Sequence, residues 1–396
     1  MSKNVALFIP ALPFGGAERV VQRLSSILGD TYNLFIIVFD GSIMKYKCAC
    51  EIIDMNIPSN KSKFKKIIAI FSRTKKFNRI VAENNIDAVI SFLDGANMIN
   101  LLSNTKHKKI ISVRNYKASE KNLSMMTKIS DFLLSKLYNR THGVVSVSRI
   151  IAQNLENDYG VDSNKIKVIY NPYDINEITN LAMEKLESQH IDFYNNSKVI
   201  ISVGRKMHQK GFWHLIKSFS LIKQHIKNAR LVIIGDGEQD DLIKGLIQEL
   251  KLEGEVLLTG HQSNPFKFIS KSDVYVMTSL FEGFPNSLVE AMACRKPIVS
   301  TDCKSGPREI LYQESNIDRI AHQIEFADYG VLVPPLTEKE NWDSNSIEDC
   351  EVVLSQAVVE ILENAKAREE YSIRAFERAH EFDYQRCKKA FIEIID

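Results

Sequence analysis

The sequence predicts an α/β fold made of two doubly wound, parallel-sheet domains. The chain has 396 residues, which is the length of two domains at about 100–200 residues each. Short runs of β-branched and aliphatic residues alternate with helical patterns, as in parallel sheets that are buried on both faces. A hydrophobic content of 44% and a charged content of 25% exclude a disordered or collagen-like chain.

The strand pattern occurs twice, once in each half of the chain. The stretch from Pro172 to Asn196 between the halves is polar and rich in Asn, and we place the domain boundary within it. The predicted domains are residues 1–185 and 186–374, both Rossmann-like, and a C-terminal helix at about residues 375–396 can pack back on the first. The twelve predicted strands are Val5–Ile9, Leu34–Phe39, Ala88–Leu93, Ile110–Val113, Val144–Val147, Lys167–Tyr170, Val199–Val203, Leu231–Ile234, Val256–Leu258, Val274–Met277, Ile298–Ser300 and Val331–Val333.

Candidate ligand-binding residues follow the strand Val199–Val203, because doubly wound sheets bind ligands at the carboxyl ends of their strands. The segment GRKMHQKG contains Arg205 and Lys210 between Gly204 and Gly211, which permit tight turns. Two cations at this position suit a diphosphate. A solvated loop that happens to be basic is the alternative interpretation.

A second candidate cluster follows the strand Val274–Met277. Pro285, Asn286 and Ser287 indicate the start of a helix, whose N–H groups and dipole favour an anion, and Asn or Ser can cap it. Glu282 precedes this helix and Glu290 lies about one turn inside it. Carboxylates accept hydrogen bonds from vicinal hydroxyls, although such a pair is also common on surface helices.

Together, the cations, the helix start and the two carboxylates predict a site for a nucleotide-diphosphate sugar. The chain contains no Asp-x-Asp, so we expect no metal ion and no other cofactor, with cationic side chains replacing Mg²⁺. In the first half, Gly15 and Gly16 lie between a strand and a helix, where a phosphate can approach the backbone. A tight turn is the alternative there, and the absence of GxGxxG disfavours a nicotinamide cofactor.

The sequence predicts a cytoplasmic protein. Its six cysteines are too sparse for a disulfide framework, which favours reduced thiols. The N-terminal MSKNVALFIP resembles a first strand more than a signal peptide. No stretch reaches the roughly 18 apolar residues of a transmembrane helix.

Charge is distributed unevenly along the chain. Residues 55–145 carry 17 Lys and Arg against 5 Asp and Glu, although the whole chain has a net charge of only +2. Residues 61–79 contain eight bases and no acid, with Phe64, Ile67, Ile68 and Phe71 at helical spacing. This basic amphipathic pattern favours contact with an anionic membrane surface. The same helix could instead bury its apolar face in its own domain. Further bases follow at Lys106, Lys108, Lys109, Lys117, Lys121 and Lys128.

Four segments, in this order along the chain, resemble glycosyltransferase family 4, a retaining family of GT-B fold. The resemblance implies two Rossmann-like domains facing across a cleft, the first binding the acceptor and the second the donor, without a metal. The segments are GGAERV at 15–20, GR…KG at 204–211, VIIGDGEQ at 232–239 and EGFPNSLVEAMACRKPIVSTDCKSGPREI at 282–310.

The resemblance also implies roles for individual residues. Arg205 and Lys210 would hold the donor diphosphate, while Glu282 would contact the sugar hydroxyls and Glu290 the ribose. Backbone N–H groups around the helix start would add donors, and the first domain would contribute a glycine. These further residues are Asn286, Ser287, Leu288 and Gly16.

One position departs from the family pattern. Many members have a His after the fifth strand of the first domain, whereas this chain reads IISVRNYK and has Arg114 there. Arginine does not deprotonate in proteins and cannot serve as a general base. It could pair with the leaving phosphate or an anionic acceptor, or be a surface residue.

The function implied by the resemblance is transfer of a hexosyl or N-acetylhexosaminyl group, with a UDP-linked donor as the commonest in the family. A lipid-linked saccharide on a polyprenyl diphosphate, as in O-antigen or capsule assembly, would explain the basic segment. The enzyme would then lie on the cytoplasmic face of the inner membrane. Two alternatives are a nucleotide-sugar epimerase and a non-catalytic scaffold of a polysaccharide complex. Nucleic acid is not an expected partner, because no recognisable binding module accompanies the bases.

Overall fold

The computed structural model describes residues 2–13, 15–58, 63–116, 135–314 and 316–396, with the backbone alone for residues 63–67. The chain divides into two compact α/β units. Unit 1 comprises Met1–Pro172 and Tyr384–Asp396, and unit 2 comprises Tyr173–Asp383.

Unit 1 contains a seven-stranded parallel sheet in the order β3-β2-β1-β4-β5-β6-β7. Its strands are β1 Asn4–Ile9, β2 Asn33–Val38, β3 Glu51–Asp54, β4 Ala88–Phe92, β5 Lys108–Val113, β6 Gly143–Ser146 and β7 Ile166–Val168. Its helices include α1 Gly16–Leu28, α2 Lys63–Glu83, α3 Leu93–Leu102, α4 Arg149–Asn157 and the last helix of the chain, α14 Tyr384–Ile395.

Both faces of this sheet are buried, as the aliphatic runs predict. Along β1, Val5 and Leu7 belong to one hydrophobic cluster, and Ala6 and Phe8 to the cluster on the opposite face. Successive side chains of a strand point to opposite faces, so helices must cover both sides of the sheet.

Unit 2 repeats this plan with the order β10-β9-β8-β11-β12-β14-β13, in which only β13 is antiparallel to its neighbour. Its strands are β8 Lys198–Val203, β9 Ala229–Ile234, β10 Val256–Gly260, β11 Val274–Met277, β12 Ile298–Thr301, β13 Glu325–Phe326 and β14 Val331–Val333. Its helices are α5 Ile175–Ala182, α6 Ser188–Tyr194, α7 Phe212–His225, α8 Asp240–Glu249, α9 Phe266–Lys271, α10 Asn286–Ala293, α11 Pro307–Leu311, α12 Asp349–Glu363 and α13 Ala365–Ala379.

The unit boundary lies at Pro172, earlier than the predicted residue 185. The reason is that α5 is bound to unit 2 through its last carbonyl groups. The Asn264 amide donates to the Leu181 carbonyl (2.9 Å), and the Ser270 hydroxyl donates to that of Ala182 (2.7 Å). The polar composition after Pro172 therefore does not mark a linker.

The C-terminal return to unit 1 is also shorter than predicted. It begins at Tyr384 instead of at about residue 375, because α13 is part of unit 2. In α14, Phe391 and Ile395 are buried in the core of unit 1. Lys388 Nζ lies 2.6 Å from Asp30 Oδ2 and adds a surface ion pair on the same helix.

Each of the twelve predicted strands has a counterpart, but β3 and β13 were missed. Strand β3 is a half-exposed edge strand with an acid at each end, so it lacks a buried apolar run. Strand β13 has only two residues, and ion pairs rather than an apolar run fix the segment before it. Buried Arg308 donates to Asp302 Oδ2 and to Glu325 Oε2, and Asp302 accepts from the Ala321 amide at 2.7 Å.

Helix α2 packs on unit 1 through its later residues, whereas two apolar residues of the predicted membrane-facing pattern are exposed. Phe77 and Val81 pack in the core of unit 1. Ile68 and Phe71 are instead 58% and 74% exposed. Ile68 and Phe71 are therefore available to contact something other than their own domain.

The predicted basic surface is smaller than the residue count suggests. Arg73 donates to the Ile57 carbonyl at 2.9 Å, and Lys76 donates to the Met55 carbonyl at 2.6 Å, so both help to attach α2. Lys75 and Arg79 are exposed. Several residues of the predicted basic segment lie outside the described part of the chain or have side chains that do: Lys61, Phe64, Ile67, Lys117, Lys121 and Lys128.

All six cysteines are free thiols. Among the described helices, none has both the length and the apolar content that a bilayer crossing requires.

Candidate active site

The loop between β8 and α7, residues 204–211, lies at the carboxyl end of β8 in unit 2. Its first residues extend the pairing with β9, since the Gly204 amide donates to the Ile234 carbonyl (3.0 Å) and the Lys206 amide to that of Asp236 (2.9 Å). Gly235 has φ +131°, and a Cβ there would lie 2.1 Å from the Gly204 carbonyl oxygen. Only glycine allows this approach of two backbones.

Lys206 is not available to a ligand, despite its place in the basic loop. It is 1% exposed, and its ammonium group pairs with Asp240 in the first turn of α8. Asp240 also accepts from Lys244 at 2.5 Å. Lys206 therefore attaches the start of the loop to the next helix, a role that the sequence did not indicate.

The far end of the loop is held by the segment that follows β11. Gly211 has φ +58°, and a Cβ there would lie 2.4 Å from the Thr278 carbonyl oxygen. The Thr278 hydroxyl donates to the Lys210 carbonyl at 2.9 Å, and the Leu280 amide donates to that of Gln209 at 2.8 Å. The backbone on both sides of Lys210 is thus fixed relative to β11.

Lys210 and Glu282 form the centre of the site. Lys210 Nζ lies 2.5 Å from Glu282 Oε1, and the Glu282 side chain is 9% exposed. Gln209 Nε2 donates to the Phe281 carbonyl (2.7 Å) and approaches Glu282 Oε2 (3.4 Å). Strands β8 and β11 are neighbours in the sheet, which brings together two side chains 72 positions apart. Arg205 is exposed at the same end of β8.

The backbone of Glu282 is paired with the loop that follows β12. Its amide donates to the Lys304 carbonyl at 2.8 Å, and its carbonyl accepts from the Ser305 amide at 2.9 Å. The Ser305 hydroxyl also donates to the Gly283 carbonyl at 2.7 Å. Burial, followed by the charge of Glu282, raises the pKa of the neighbouring Cys303 thiol. This cysteine therefore stays protonated and is no candidate nucleophile.

Helix α10 begins at Asn286, but neither predicted cap residue caps it. Its N-cap residue is Pro285, and no side chain caps the helix. The Asn286 amide oxygen accepts from the Tyr173 hydroxyl, and the Ser287 hydroxyl accepts from the Tyr275 hydroxyl, both at 2.7 Å. The Leu288 amide already donates to the Pro285 carbonyl at 3.2 Å. Leu288 is therefore a poorer N–H donor for a ligand than the sequence implied.

Glu290 is 3% exposed within α10. Burial raises the pKa of the Tyr275 phenol, and the charges of Glu282 and Glu290 raise it further. Both carboxylates thus act on one phenol, which remains protonated and able to donate to Ser287. Glu282 lies in the loop before α10, and Glu290 lies one turn inside this helix.

In unit 1, Gly16 is the first residue of α1 and follows β1, where the sequence placed it. Arg114 follows β5 and is not a loose surface residue. Its guanidinium donates to the side-chain oxygen of Asn171, which is buried, and lies 3.5 Å from the Ser112 hydroxyl. Asn171 lies 57 positions away in the loop after β7, so the sequence alone gave no signal for it.

Within the described residues, His214, Glu348 and Cys350 are the single group whose side chains could together hold a metal ion. The His214 ring nitrogens already contact Glu351 Oε1 at 2.8 Å and the Thr337 carbonyl at 2.9 Å. This partly buried cluster joins the start of α7 to α12 and includes none of the candidate site residues.

Comparison with known proteins identifies the family. The sequence models of Glycosyltransferase Family 4 and of Glycosyl transferases group 1 match residues 14–177 and 183–324. A glycosyltransferase of Methanocaldococcus jannaschii is 34% identical over 342 residues, with 83% of each chain covered. The chain belongs to glycosyltransferase family 4.

One further relative and one solved structure are similar to this glycosyltransferase over nearly its whole length. An N-acetylgalactosamine-N,N'-diacetylbacillosaminyl-diphospho-undecaprenol 4-alpha-N-acetylgalactosaminyltransferase of Campylobacter jejuni is 29% identical, with 96% of each chain covered. The crystal structure of Anabaena HepE in complex with UDP matches with a TM-score of 0.74, at 19% identity and 98% coverage of each chain. The predicted GT-B fold, with two parallel-sheet α/β domains, is confirmed.

The contact between Gly235 and Gly204 predicts the effect of one added methyl group. Gly235→Ala should lower the free energy of unfolding of unit 2 by about 1–3 kcal/mol, because the Cβ meets backbone and the φ angle is strained. Urea unfolding measures the change.

Gly245→Ala is the matched control. A Cβ at Gly245, inside α8, has no heavy atom within 4 Å. This variant should be as stable as the wild type or more stable, by up to about 1 kcal/mol. Equal stability of the two variants would contradict the assignment of a backbone contact at Gly235.

Proposed function

We propose that this glycosyltransferase transfers a hexosyl or N-acetylhexosaminyl group, with retention and without a metal, from a UDP-linked sugar to a saccharide on a polyprenyl diphosphate. The observation that carries the proposal is the Lys210–Glu282 pair, 2.5 Å apart at the carboxyl edge of the unit 2 sheet. The complex of HepE with UDP and the diphospho-undecaprenol substrate in the name of the Campylobacter relative support the donor and the acceptor.

The pair can serve both halves of a sugar diphosphate. A lysine ammonium group has three N–H donors, so Lys210 can hold Glu282 with one and bind a phosphate oxygen with another. Glu282 would then accept from hydroxyls of the sugar, and buried Glu290 from the ribose. The first turn of α10, at Asn286 and Ser287, adds the positive end of a helix dipole.

Catalysis would then depend on charge. Negative charge grows on the diphosphate as its bond to the sugar breaks. Cations fixed nearby therefore stabilise the transition state more than the bound substrate. Lys210 is fixed through its backbone, and Arg205 is the second cation at this strand end. These two side chains would take the part that Mg²⁺ plays in metal-dependent transferases.

Unit 1 would bind anionic parts of the substrates. We assign Arg114 to the leaving phosphate or to an anionic group of the acceptor saccharide, because an arginine cannot act as the general base. Asn171 orients its guanidinium through their hydrogen bond. Gly16, at the start of α1, would let a phosphate approach the helix N-terminus.

A peripheral position on the cytoplasmic face of the inner membrane would bring the enzyme to such an acceptor. The exposed Ile68 and Phe71 of α2, with the exposed bases Lys75 and Arg79, support this position. Apolar residues enter the interface while bases contact anionic headgroups.

Transfer assays with a panel of radiolabelled nucleotide sugars and a polyprenyl-diphosphate-linked saccharide test the proposal. We expect label to move to the lipid in the presence of EDTA, from one UDP-sugar in preference to the others. A labelled sugar isomer without lipid product would indicate an epimerase. Absence of both products with every donor would contradict the proposed function.

Lys210→Ala tests the phosphate assignment. Loss of one preorganised charge should lower kcat about 10²–10³-fold, the usual effect of removing one group that stabilises developing charge. Initial rates at saturating donor measure it, and a thermal melt checks that unit 2 remains folded.

Lys227→Ala, an exposed lysine in the same unit, is the control and should keep the wild-type rate. If Lys210→Ala is folded and equally fast, the diphosphate does not bind at Lys210.

A further inference from the structure

An apolar groove crosses the outer helical layer of unit 1. It lies between α2, α3 and the helical residues 135–138, and its cavity volume is about 420 Å³. Five apolar side chains line it, together with Lys136 and Arg140. The apolar residues are Ile70, Phe71, Met98, Leu102 and Leu137.

The groove exposes side chains that a water-facing helix normally avoids. Phe71 is 74% exposed and Leu102 is 40% exposed, and Ile68 lies one turn from Phe71 on the same helix. Contiguous apolar surface of this kind marks a binding site more often than chance exposure. A ligand for it must itself be largely apolar.

Charge narrows the choice of ligand. Of the seven lining residues that the structure describes, none is acidic and two are cations. Lys75 and Arg79 continue the exposed stripe of α2 at intervals of four residues from Phe71. A second copy of this chain would bring cations against cations, so the surface is poorly suited to self-association. An amphiphile with an anionic end is complementary to it.

We propose that the groove binds the phosphate-proximal isoprene units of the acceptor's prenyl chain, with Lys136 and Arg140 beside its phosphates. This inference rests on the proposed function and adds a binding site for the hydrocarbon part of the acceptor. Contact with the chain would let the enzyme distinguish a lipid-linked saccharide from the same saccharide in water.

Binding of farnesyl phosphate, below its micelle concentration and with excess UDP present to occupy the nucleotide site, tests the groove directly. Isothermal titration calorimetry should show binding to the wild type. Phe71→Asp should weaken the binding of farnesyl phosphate about tenfold or more. The substitution replaces the contact between the phenyl ring and the bound prenyl chain by a negative charge that repels the phosphate. The side chain is mostly exposed, so the substitution should leave the fold intact.

Ile373→Asp is the matched control, since Ile373 is an exposed apolar residue of unit 2 (46%) and should keep the wild-type affinity. Arg140→Glu should weaken the binding of farnesyl phosphate and leave the binding of farnesol unchanged. Equal affinity of Phe71→Asp and wild type would overturn the proposal. So would inorganic phosphate that binds as tightly as farnesyl phosphate, or capture of an acidic protein at the groove without lipid binding.

Failure of this inference is distinguishable from failure of the proposed function. One possible result is that sugar is transferred to the lipid acceptor while Phe71→Asp binds farnesyl phosphate as well as the wild type does. This result would overturn the groove as the lipid site and leave the proposed function standing. Phe71-dependent binding without transfer to any acceptor would overturn the proposed function and leave the lipid site standing.

Discussion

The loop at residues 204–211 is fixed by backbone contacts at both ends, and the candidate site depends on this constraint. Gly235, in the loop after β9, allows close contact with the backbone of Gly204 at the start of the loop. Gly211, at the end of the loop, allows close contact with the backbone of Thr278 after β11. Without these backbone contacts the loop could shift, and the ammonium group of Lys210 would move with it. With its backbone held, Lys210 places its Nζ 2.5 Å from Glu282 Oε1. Such preorganisation is what electrostatic catalysis requires.

The fixed position of Lys210 also suggests why an arginine can stand at position 114, where many members of the family have a histidine. A transferase that stabilises a leaving diphosphate through fixed cations gains from another cation and does not require a base in unit 1. The bond from Arg114 to buried Asn171 restricts its guanidinium as the loop contacts restrict Lys210. Both cations are therefore restricted by contacts within their own unit.

Sequence patterns were sufficient to predict an element wherever a short run of neighbouring residues determines it. Twelve apolar runs predicted the strands, and the neighbouring positions of β8 and β11 follow from the doubly wound topology. Edge strand β3 was missed because half-exposed strands lack an apolar run. The Lys206–Asp240 and Tyr173–Asn286 contacts could not be predicted, since partners 34 and 113 positions apart meet only after folding. Those contacts also decide which predicted ligand groups are already engaged.

The central claim is that unit 2 binds a diphosphate through fixed cations without a metal. Isothermal titration calorimetry of UDP, UMP and uridine in EDTA tests it most directly. The account predicts that UDP binds at least about tenfold more tightly than UMP, because the second phosphate gains charge-assisted hydrogen bonds. Equal affinities of UDP and UMP, or UDP binding only after Mg²⁺ is added, would contradict it.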